Sequence, residues 1–174
     1  MQSCAAVTGL ILLVITDLGT IISFATPFWI LHGSGTDGGL WAVCKGTNCE
    51  WIYNYNFNFK DFHKDGWFIA VQGLMSVGLA LCLLSLLVAT ISLCCQRQNC
   101  SSSGTIAGLL LTTSLAMCVA VILFGIKASQ DLDVKLSFDD NGVDRFGWSY
   151  WVAAASAALS LVTSGVYGCA SRID

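Results

Sequence analysis

A chain of 174 residues with 55% hydrophobic residues, only 11% charged residues and a mean hydropathy of +0.71 is too apolar for a soluble domain and reads as a membrane protein. Its net charge of −3 comes without a basic cluster, which argues against a nucleic-acid partner and leaves the lipid bilayer as its surroundings. The sequence offers no nucleophile with a base, no glycine-rich phosphate loop and no ligand cluster, so neither catalysis nor a cofactor is expected.

Four runs, residues 5–26, 68–93, 105–126 and 148–169, reach the length of about 20 apolar residues needed to cross the hydrocarbon core. They divide one membrane domain over residues 1–174 into four spans, with the loops 27–67 and 127–147 together on one side. The first run lacks a basic amino-terminal flank and exceeds a secretory apolar region, so it is expected to be a retained span. Within it Asp17 lies about 13 Å below Thr26, and Gln72 lies about 8 Å below Trp67 on the second span. These depths predict an intramembrane polar pair, Asp17 with Gln72, rather than an ion or proton site, because no other embedded acid or base accompanies Asp17.

In the first loop, Val43-Cys44 and Cys49-Glu50 flank Lys45-Gly46-Thr47-Asn48, a spacing that suits a two-residue hairpin with Gly46 at the first central position. Lys45 then faces Asn48, and Cys44 faces Cys49 in the closer type of pair, within disulfide reach. The closed loop is short, so such a bridge contributes about 2 kcal/mol by chain entropy and pins a hairpin rather than a domain. Downstream, Tyr53, Tyr55, Phe57 and Phe59 alternate with asparagines, which predicts a strand with one aromatic face and a contact surface there. His32 and His63 read as isolated surface residues rather than metal ligands.

The second span leaves through Cys94 and Cys95, candidates for palmitoylation, into a short polar turn. The second loop is acidic, and Asp139-Asp140-Asn141-Gly142 lacks the spacing and closing glutamate of a calcium loop. Val134, Leu136 and Phe138 alternate with polar neighbours and predict an edge strand for the first loop's sheet. In the fourth span Ser156, Ser160, Ser164 and Gly168 form a four-residue stripe of small side chains that lets helices approach closely. Intramolecular packing is the expected use of this stripe. Arg172-Ile173-Asp174 lacks the terminal apolar residue that PDZ domains capture.

Two signals disagree over orientation. Six of the eight basic residues lie in the two loops, which reverses the usual positive-inside bias. Against that, a Cys44–Cys49 disulfide needs an oxidising compartment, and Cys4, Cys94, Cys95, Cys100 and Cys169 cluster at the opposite side as reduced thiols would. The disulfide geometry is the more specific signal, so both loops are expected outside the cell and both termini in the cytoplasm, in the plasma membrane.

The order Trp29, then Gly39-Leu40-Trp41, then Cys44 and Cys49 resembles the claudin superfamily, which includes claudins, peripheral myelin and epithelial membrane proteins, and gamma-type channel auxiliary subunits. Ala70-Val71-Gln72-Gly73-Leu74-Met75 resembles the start of the family's second span, and Phe146-Gly147-Trp148-Ser149-Tyr150 looks like the epithelial-membrane and gamma-subunit branches. The resemblance implies an all-α membrane protein: a left-handed four-helix bundle under a small extracellular antiparallel β-sheet, with Trp29, Gly39, Leu40 and Trp41 anchoring sheet to bundle. It also implies a role at cell–cell contacts, with the chain itself or related four-span proteins as partners in cis or trans. The alternative it implies is an auxiliary subunit for an ion channel or receptor, or a membrane organiser like the epithelial membrane proteins.

Overall fold

The computed structural model describes residues 2–32, 35–53, 65–94, 103–131, 134 and 144–171. Four helices dominate it: α1 (Gln2–Ala25), α2 (Gly66–Cys94), α3 (Ser103–Asp131) and α4 (Trp148–Ala170). All four are long and apolar enough to cross a membrane. A helix that is apolar on all faces is stable only among apolar surroundings, here its neighbours on one side and lipid on the other. With 29 residues each, α2 and α3 run about 44 Å, beyond the roughly 30 Å hydrocarbon core. The α3 helix therefore continues past the span expected to end at residue 126, and Lys127 meets Asp131 one turn on at 3.9 Å.

The helices pack in a ring in which each touches the next in sequence and α4 closes on α1; the α1–α2 seam is the thinnest. Between α3 and α4 a row of hydroxyls reaches across to backbone carbonyls: Ser114 to Ala157 at 2.9 Å, Ser160 to Leu110 at 2.9 Å, and Ser164 to Ala107 at 2.7 Å. Ser156, from the same stripe, abuts Gly19 of α1. The stripe of small residues is thus consumed inside the bundle, where each interhelical bond adds about 0.6 kcal/mol.

A five-stranded antiparallel sheet caps one end in the order β4-β3-β2-β1-β5. Its strands are β1 (Ile30–His32), β2 (Thr36–Gly38), β3 (Ala42–Lys45), β4 (Asn48–Trp51) and β5 (Arg145–Phe146). Two sequence expectations change here. Of the expected aromatic strand only Tyr53 is described, and it lies in the turn after β4 rather than in a strand; Tyr55, Phe57 and Phe59 fall outside the described residues. The second loop does contribute an edge strand, but through Arg145 and Phe146, which pair with Leu31 and Ile30. Val134 is not in a strand; it is buried, and its N–H donates to Ala128 O at 3.3 Å. Leu136 and Phe138 lie outside the described residues.

Candidate functional site

The site begins at the corner between α1 and β1. Thr26-Pro27-Phe28-Trp29 turns the chain out of the bundle, and its backbone is used twice. Trp29 donates its N–H to Gly38 O at 2.9 Å, while Gly147 N–H donates back to Trp29 O at 2.9 Å and Ser149 N–H to Phe28 O at 3.1 Å. The hydroxyls of Thr26 and Ser149 meet at 2.7 Å. The first turn of α4 is therefore capped by carbonyls and hydroxyls from a segment more than a hundred residues earlier, in place of a local side-chain cap.

Trp29 is wholly buried and seals this corner. Its indole N–H donates to Ser23 O at 2.7 Å, and its rings meet Phe124 and Tyr150 edge-on at 4.9 and 5.9 Å. Each such aromatic pair adds about 0.5–1.5 kcal/mol beyond the area it buries. Phe146 stacks on Tyr150 at 4.5 Å, which ties β5 into the same cluster. Gly39 lies directly over the corner: a Cβ there would press on Pro27 Cα and come within 2.8 Å of Thr26 O. Only glycine lets β2 and β3 lie so close to the helix exit.

Leu40 is fully buried, and its carbonyl is held from below. Gln72 on α2 donates its amide N–H to Leu40 O at 2.6 Å and accepts the Tyr53 hydroxyl at 2.6 Å. Gln72 therefore does not bond to Asp17; it fastens both ends of the β3–β4 unit to α2. Asp17 is 3% exposed, and neither carboxylate oxygen has a hydrogen-bond partner among the described residues. Its near neighbour across the thin α1–α2 seam is the buried Cys82 thiol, which also faces Thr20. Asp17 and Gln72 lie at compatible depths along their helices, but depth does not fix which helix face each side chain occupies.

Cys44 and Cys49 are joined by a disulfide across adjacent strands, with Cα atoms 4.0 Å apart and Lys45 opposite Asn48. Gly46 opens the turn with φ at +61°, a conformation that costs glycine little. Cys44 is buried and Cys49 exposed: the two lie side by side on one face of the sheet, and β4 is its outermost strand among the described residues. Beside it, Trp41 stacks on Trp51 at 5.9 Å and leans on Phe24 of α1 at 5.3 Å; Trp51 in turn meets Tyr53 at 6.5 Å. Trp51 is 57% exposed and Tyr53 44% exposed. The result is an aromatic ridge beside β4, the outermost strand of the sheet among the described residues.

His32 is not isolated. Its Nδ1 lies 2.7 Å from Asp144 Oδ2, linking the end of β1 to the segment that enters β5. Sequence reasoning missed this because the partner is 112 residues away and only the closed sheet brings them together. Asp37, opposite Leu31 in the sheet, has its carboxyl raised above the ordinary value by burial, with the nearby His32 pulling the other way. Of the proposed palmitoylation sites, Cys94 ends α2 and Cys95 lies outside the described residues, as do His63 and the 139–142 acidic turn.

In this chain a tryptophan at the bundle exit, Gly39-Leu40-Trp41 beneath the sheet, a disulfide hairpin and four apolar helices stand together. The sequence profile of the PMP-22/EMP/MP20/Claudin family matches residues 3–167, nearly the entire chain, and the protein belongs to that family.

Proposed function

We propose that the protein acts at contacts between cells, where its sheet associates with copies of itself or with related four-span proteins and shapes adhesion or paracellular permeability. In this reading it is a plasma-membrane protein with the sheet outside and both termini in the cytoplasm, and its role is binding rather than catalytic. One observation carries the proposal: the Trp41–Trp51–Tyr53 ridge flanks β4, the outermost strand of the sheet among the described residues, and its Trp51 and Tyr53 side chains are half exposed. Exposed aromatics on a strand edge are a typical seat for another protein, since the edge offers backbone hydrogen bonds and the rings offer buried area at low entropy cost.

The test is imaging of the tagged protein in junction-free fibroblasts, with expressing and non-expressing cells mixed. Enrichment at contacts between two expressing cells, lost in Trp51→Lys, supports self-association through this edge. Uniform surface labelling rules out self-adhesion. A second reading, an auxiliary subunit for a channel or receptor, draws on Trp148 and Trp151, exposed by 45% and 38% at the start of α4. Co-purification of a channel in mild detergent, weakened by Trp148→Ala and not by Trp51→Lys, would favour that reading.

A further inference from the structure

No further inference is drawn: the strongest candidate, the buried Asp17 carboxylate facing the Cys82 thiol in the α1–α2 seam, has no set of ligating side chains gathered around it among the described residues, and nothing in the structure shows what would bind there.

Discussion

Gln72 offers the sharpest test of how the sheet is fixed to the bundle. Gln72 is 4% exposed and its carboxamide holds two groups at 2.6 Å, the carbonyl of buried Leu40 and the hydroxyl of half-exposed Tyr53. Replacing Gln72 with Leu keeps the bulk and removes both bonds. The Leu40 carbonyl is then left buried without its donor, a penalty of about 1–3 kcal/mol, while the Tyr53 hydroxyl can turn to water and loses only about 1 kcal/mol. The sum, about 2–4 kcal/mol, corresponds to a fall in melting temperature of roughly 4–16 °C for a chain of this size. Tyr53→Phe removes only the cheaper bond and should lower it by about 2–4 °C. The assay is thermal unfolding in mild detergent read by a thiol-reactive fluorophore after accessible thiols such as Cys169 have been blocked in the folded state, since Cys82 is fully buried and reacts only as the bundle opens. In Gln72→Leu the Tyr53→Phe change should cost almost nothing further, because the bond is already gone. Asp17→Asn should add to Gln72→Leu without coupling. A loss in Tyr53→Phe as large as in Gln72→Leu, or strong coupling between positions 17 and 72, would refute this account of the anchor.

Other consequences can be checked in the same assay. Gly39→Ala should destabilise by at least about 3 kcal/mol, because the new Cβ meets backbone rather than a yielding side chain, whereas Gly38→Ala, with open space around it, should be nearly silent. Cys44→Ser with Cys49→Ser should cost about 2 kcal/mol by loop entropy and leave helical circular dichroism intact, since the bridge pins only one hairpin. Asp37 gives a pH signature. Its carboxyl is raised in the fold, so the native state keeps the proton to higher pH than the unfolded chain does. The associated stability is present below the ordinary carboxylate range and is lost as pH rises through the raised value. Asp37→Asn should therefore flatten the change in melting temperature between pH 4 and pH 7, and an unchanged slope would count against the burial argument.

Much of this architecture is visible in the sequence because it rests on local rules. Run length marks the four helices, and Gly46-Thr47 between Cys44-Lys45 and Asn48-Cys49 fixes a hairpin whose register pairs the cysteines. The failures share a physical cause: they concern which way a side chain faces once distant elements meet. Asp17 and Gln72 sit at roughly compatible depths, but Gln72 turns up beneath Leu40 and Asp17 turns into the α1–α2 seam. The alternation around Tyr53 reads as a strand, but the chain turns after Trp51 and sends the Tyr53 hydroxyl down to α2. Likewise β5 comprises only two residues, too short for any periodicity, and exists because Leu31 and Ile30 offer it a free edge. The His32–Asp144 contact depends on that same closure.

The corner at Thr26–Trp29 also sets a timetable for synthesis. The partner of Thr26 is Ser149, made 123 residues later. At about 5–20 residues per second that interval lasts roughly 6–25 seconds. Nearly throughout it the Phe28 and Trp29 carbonyls lack the amide donors that Gly147 and Ser149 supply, and the Trp29 ring lacks Tyr150. The first loop therefore cannot settle as it emerges; the sheet is completed only when the last helix arrives to close it. A ribosome pausing before residue 147 would hold the chain in its most vulnerable state, with the hairpin already able to oxidise but the corner still open.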